Sequence, residues 1–178
     1  MCTLVILFRP KHRWPLLLAG NRDEMRGRPS APPGRHWRER PQVVAGLDRL
    51  AGGSWLGINE AGLVAVILNR HGSLGPAPDR PSRGELVLEA LGHTDLQAAA
   101  AALVARAPDA YRSFNLVLAD TRQVLLVQHR EIGRIEVGPV GPGLHLFEFR
   151  GVERYRAPQD KPLSAAFSKR CCARSRSR

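Results

Sequence analysis

Lysine is nearly missing from this chain of 178 residues: three lysines stand against 24 arginines. With frequent Ala, Gly and Pro, that bias reads as a GC-rich, bacterial genome and says little about ligands. Cysteine is scarce too, at Cys2, Cys171 and Cys172. One thiol at the start and an adjacent pair at the end make no disulfide framework, which fits a reducing cytoplasm. Aromatic residues are only 6%. With no RNA- or DNA-binding signature present, specific nucleic-acid recognition is not expected. No apolar run approaches the ~20 residues that span a bilayer, so no transmembrane segment is expected. The apolar stretches Leu4–Phe8 and Leu16–Leu18 are too short and interrupted for a secretory signal. Acidic residues are few, and the net charge is +11. Nine basic and three acidic residues lie between Leu146 and Arg178, so over half of that excess belongs to the tail.

What is present is an ordinary 43% of apolar residues, enough for one domain with a real core. Thr3–Phe8 reads as a buried strand and Trp14–Ala19 as a second, joined as a hairpin. Arg26–Pro41 is dense in Pro, Arg and Gly and reads as a loop over the domain rather than a strand. Its Trp37 and several arginines point to an acidic or amphipathic ligand. Val43–Gly46 reads as a short strand. Ser54–Ile58 and Leu63–Asn69 form a hairpin around Asn59-Glu60-Ala61-Gly62. Ser82 with Glu85 is a capping box opening a helix through about Leu91, and Thr94 with Gln97 opens another to Ala107, before Pro108. Phe114–Ala119, Val124–Gln128 and Gly133–Val137 return to strand. Strands, two helices and strands again give an α+β layered fold. Beyond about Leu146 the periodicity fades, giving a domain over 1–145 and an irregular basic tail over 146–178.

Chemistry concentrates at the front. Cys2 follows the initiator Met1, and its small size permits removal of that Met. The product carries a thiol and an α-amine on one residue, with ordinary pKa values of ~8.5 and ~7.7–8.0. A neutral amine then serves as general base for its own thiol. Asn21-Arg22-Asp23-Glu24 ends the second strand, where pairing brings it toward Cys2. An Asp there holds the ammonium and an Arg favours the thiolate. Asn69 ends an apolar strand, where an amide donates to an oxyanion or simply closes a turn.

Met1-Cys2-Thr3, Asn21-Arg22-Asp23-Glu24, Ala51-Gly52-Gly53-Ser54-Trp55-Leu56-Gly57 and Ser113–Asp120 together resemble the NRDE family, also called the transport and Golgi organization 2 family. The likeness covers roughly Met1–His145. A wider similarity reaches the choloylglycine hydrolase and penicillin V acylase group, with a Met-Cys start, an Arg-Asn-x-Asp strand end and a Gly-x-Asn-Glu-x-Gly-Leu hairpin ending Leu-Asn. The resemblance implies a four-layer αββα N-terminal-nucleophile (Ntn) sandwich. It implies Cys2 as nucleophile, Asp23 positioning the amine and Asn69 in the oxyanion hole, with Asn21, Trp55 and Asn59 toward substrate. Arg22 departs from that group's pattern: it follows Asn21 instead of preceding it, a two-residue displacement that keeps one strand face.

The stretch Glu148–Arg178 shows nothing of the family's later sequence. A frame slip near Leu144–Phe147, or truncation, is the expected cause, leaving the sandwich incomplete at its C-terminal side. Three functions follow. One is an amidohydrolase acting on a linear non-peptide amide through Cys2. Another is a non-enzymatic trafficking protein handling haem or lipid, since animal members of the family are linked to secretory-pathway organisation and haem handling; haem ligands would come from His12, His36, His71 or Cys2. The last is an inactive gene product. No metal and no obligatory cofactor are expected, and the sequence leaves the oligomeric state open.

Overall fold

The computed structural model describes residues 2–70, 73, 80–130 and 133–148, with backbone only at 108 and 151–155. The fold is α+β, mostly sheet with two helices. The first sheet holds four strands: β1 (Thr3–Phe8), β2 (Leu16–Asn21), β10 (Gly143–Glu148) and β11 (Gly151–Tyr155). Their order is β11-β10-β1-β2, so β1 lies inside it. The second sheet has seven antiparallel strands in chain order: β3 (Ser30–Gly34), β4 (Val43–Asp48), β5 (Leu56–Asn59), β6 (Val64–Asn69), β7 (Phe114–Ala119), β8 (Val124–His129) and β9 (Glu136–Pro139).

Alternation along the strands builds two cores. Leu4, Ile6, Phe8 and Phe147 of the smaller sheet meet Val66, Leu68, Val117, Ala119, Val124 and Leu126 of the larger. On the opposite face of the larger sheet, Ala65, Leu116, Leu118, Leu125 and Val127 pack under the helices α1 (Gly84–Ala90) and α2 (Leu96–Val104). β7 is therefore buried along its whole length. Each fully buried Leu here contributes roughly 1.5–3 kcal/mol. The layers run sheet, sheet, helices. Among the described residues no element covers the outer face of the four-stranded sheet.

Several local expectations change. Ser30–Gly34 pairs with β4 despite its two prolines, because it is the sheet's edge, where a missing N–H costs no ladder bond. Helix α1 starts from Arg83 rather than Ser82, although the Ser82 hydroxyl does accept from the Gly84 N–H at 3.2 Å. Helix α2 is capped by Asp95, whose side chain accepts from Ala98 N–H at 2.9 Å, and not by Thr94. It stops at Val104, and Pro108 opens a separate 3-10 turn through Ala110. Strands β10 and β11 carry ladder pairing past Leu146. The tail with Cys171 and Cys172, and His71, lie outside the described residues.

Candidate functional site

β1 and β2 bring the two front motifs together. Thr3 is the ladder partner of Asn21, and the Asn21 side-chain carbonyl accepts the Thr3 N–H at 3.0 Å. Asn21 thus fastens the end of β2 to the start of β1. Two residues on, the Asp23 backbone N–H donates to Cys2 Sγ at 3.4 Å, and the thiol faces the Asp23 carbonyl at 3.9 Å. Cys2 is a free, half-buried thiol packed against the core between the sheets.

The segment beyond Asn21 is held by alternating charges. The Arg22 guanidinium lies 4.0 Å from the centre of the Trp55 ring and donates to Glu24 at 2.9 Å. Glu24 is 3.8 Å from Arg28, which donates to Asp48 through Nη2 at 2.7 Å and Nε at 3.0 Å. Gly46 makes room for Trp55, since a Cβ there would sit 2.8 Å from the indole. Burial alone would raise the Asp48 carboxyl, but bonds from Arg28 and from the Leu50 and Ala51 N–H groups outweigh it and hold it below its ordinary value.

Burial pushes the Cys2 thiol above its ordinary range. The charges of Arg22 and Arg83 pull it down, Glu24 pushes it up, and burial prevails. The resting thiol is therefore neutral near pH 7 and needs a base before it can attack. Arg83 is the residue sequence reasoning missed. It precedes α1 and donates to the Ser73 hydroxyl at 2.8 Å and the Ser113 carbonyl at 2.9 Å. Burial and the Arg112 charge push it down to about 10, against the pull of Cys2. In the sequence it is one more arginine among 24; only the helix lying over the sheet end brings it to Cys2.

The other expected residues are spread over further elements. Asn59 sits inside the fold. It is 5% exposed, donates to the Leu91 and His93 carbonyls at 3.0 and 2.6 Å, and accepts the Leu63 N–H at 3.0 Å. Asn69 closes β6 opposite Phe114 and is half-buried; its amide makes no hydrogen bond among the described residues. In the Arg26–Pro41 stretch Trp37, Arg40 and Arg35 have partners within the fold. Trp37 donates to the Gly52 carbonyl and packs on the helix-side core, Arg40 donates to the Leu88 carbonyl, and Arg35 pairs with Glu60. Of the haem candidates, His12 and His36 have local partners and His71 lies outside the described residues. His12 sits in the β1–β2 turn, the far end of β1 from Cys2, roughly 20 Å of strand away. Its Nδ1 accepts from Trp14, and His36 Nε2 is bonded to the Pro32 carbonyl at 2.8 Å. Among the described residues no three His, Cys, Asp or Glu side chains cluster as a metal site.

Comparison with known proteins agrees with the front motifs. The Transport and Golgi organisation 2 family model matches residues 1–152. The "Transport and Golgi organization 2 homolog" of Mus musculus is 34% identical over 129 residues, and the Homo sapiens homologue 35% over 130. Each match takes in 67% of this chain and 45% of the relative, so the chain spans about half the length of the curated relatives it matches. Among solved structures, penicillin V acylase from Agrobacterium tumefaciens aligns with 94% of this chain and 49% of its own, at 16% identity and a TM-score of 0.41. With its start-anchored cysteine, its Asn-Arg-Asp-Glu turn and a family match over most of its length, the chain belongs to the Transport and Golgi organisation 2 family.

Proposed function

We propose that this chain is an Ntn-type amidohydrolase in which Cys2, exposed as first residue by loss of Met1, attacks a linear non-peptide amide. The observation that carries this is the 3.4 Å approach of the Asp23 N–H to Cys2 Sγ, which sets the thiol against a turn whose Asp23 would hold a new α-ammonium. Retained behind Met1, Cys2 has a raised pKa. Freed, its own amine takes the thiol proton and the thiolate bonds to the amide carbon. The tetrahedral oxyanion is stabilised by the Asn69 amide and a backbone N–H. It collapses to a thioester as the leaving amine takes the proton, and water then hydrolyses the thioester. Asp23 orients the α-amine, and Arg22, laid on Trp55, favours the thiolate. The two-sheet core with helices over one side supports placement in the αββα Ntn architecture.

A second reading keeps the scaffold without the chemistry: a protein carrying an amphipathic small molecule, with Cys2 as a buried thiol. The raised pKa of Cys2 favours it, since a protonated thiol is inert. Mass spectrometry separates the two. The enzyme loses Met1 and takes one equivalent of a neutral thiol electrophile at Cys2, and Asp23→Asn slows that labelling at least tenfold. Intact Met1, or Cys2 no faster than a free cysteine peptide, refutes the hydrolase.

A further inference from the structure

Arg70 and Arg83 differ from their neighbours in the company they keep. Arg22, Arg28 and Arg106 each have a carboxylate within 3.0 Å. Arg70, one residue past β6, donates instead to the Asn115 side-chain oxygen at 2.7 Å, which also takes Gln128 at 2.9 Å. Arg83 donates to the Ser73 hydroxyl and the Ser113 carbonyl. All these acceptors are uncharged. Ser73, with no exposed surface, ties the two arginines together. Its oxygen accepts from Arg83 and from the Arg70 backbone N–H at 3.2 Å, and it lies 2.9 and 3.0 Å from the Arg70 and Ser113 carbonyls, donating to one of them.

Two half-buried guanidiniums without a counter-anion are electrostatically costly. Burial and the charge of Arg130 push Arg70 below its ordinary value; burial and Arg112 do the same to Arg83. Among the described residues no carboxylate offsets either. The named bonds use one terminal nitrogen of each guanidinium, leaving Nε and the other Nη as donors. That is the donor set that receives a carboxylate or a phosphate. Arg83 lies close enough to Cys2 for its charge to act on the thiol, and Ser73 ties Arg70 to Arg83.

We propose that Arg70 and Arg83 form an oxyanion-binding subsite beside Cys2, so that the ligand bears a carboxylate or phosphate group near the atom Cys2 attacks. Attack by Cys2 rests on the hydrolase reading; the anion site does not.

The test compares alkylation of Cys2 by anionic iodoacetate and neutral iodoacetamide, followed on the Cys2 peptide by mass spectrometry. Their rate ratio cancels the thiolate fraction and reports local potential. The ratio should exceed that of a short cysteine peptide by roughly three- to tenfold at low salt. It should fall to the peptide's value in Arg70→Gln/Arg83→Gln. In the unmodified protein, millimolar inorganic phosphate or acetate should slow iodoacetate selectively; stronger protection by phosphate assigns a phosphate-bearing ligand, by acetate a carboxylate. A peptide-like ratio with no protection by either anion overturns the proposal, and that arm needs no variant to fold. Met1 retained with an elevated ratio removes the hydrolase and leaves the anion site standing.

Discussion

At the residue scale, Asn59 shows how an amide in a family motif turns out to be a joint. It ties the β5–β6 turn to the carbonyls that end α1, with all three of its bonds inside. Asn59→Ala leaves two carbonyls and an N–H unmatched in a buried place, costing about 2–4 kcal/mol of stability, measurable by urea unfolding, with Cys2 labelling unchanged in the folded fraction. Asp48 gives a pH signature. Its folded pKa is depressed, so its contribution is full above the unfolded value of about 3.9 and is lost as pH falls through the lower folded value. Thermal unfolding of Asp48→Asn should start lower at neutral pH and converge with the unmodified protein in acid. Cys2 and Asp23 were legible in the sequence because one is anchored at the start and the other follows a strand that must pair back. Arg83 and Ser73 were not, because the Ser113 carbonyl that both meet comes from a distant part of the chain.

At the element scale, continuous apolar runs announced β1 and β7 with their observed limits, while β3 was hidden by prolines that only an edge position tolerates. The Gly-Gly-Ser-Trp segment looked like a family marker; its structural cause is contact. A Cβ on Gly53 would lie 2.6 Å from the Gly84 carbonyl carbon, and one on Gly84 would lie 2.9 Å from the Ser54 oxygen. Two backbones touch where α1 meets the turn before β5. Gly53→Ala must push α1 outward, at a cost of about 1–3 kcal/mol. Because Arg83 immediately precedes α1, the same change should also alter the alkylation rate of Cys2. Equal unfolding midpoints for Gly53→Ala and the unmodified protein would contradict this close approach.

At the scale of the molecule, one layer is uncovered among the described residues. Register places Val5 and Leu7 beside Leu17, Ala19, Leu144 and Leu146, on the face opposite the core. Strands covered on both faces read as unbroken apolar runs, and β1 reads so although only one face is packed here. Leu17 is 45% exposed. Leu17→Lys with Leu146→Lys should lower binding of a hydrophobic dye and self-association, while shifting the unfolding midpoint little. Unchanged dye binding would show the face to be covered. The position of β1 inside its sheet also sets a clock. Phe8 pairs on one side with Leu16 and on the other with Gly143, far later in the chain. A ribosome adding about 5–20 residues per second needs on the order of ten seconds to deliver that second neighbour. Until then the N-terminal strand has at most a hairpin partner, and its first residues remain open to an aminopeptidase. If Cys2 works as an N-terminal nucleophile, trimming and folding compete in time, and conditions that speed synthesis or slow the peptidase should yield folded molecules whose cysteine is still second in line.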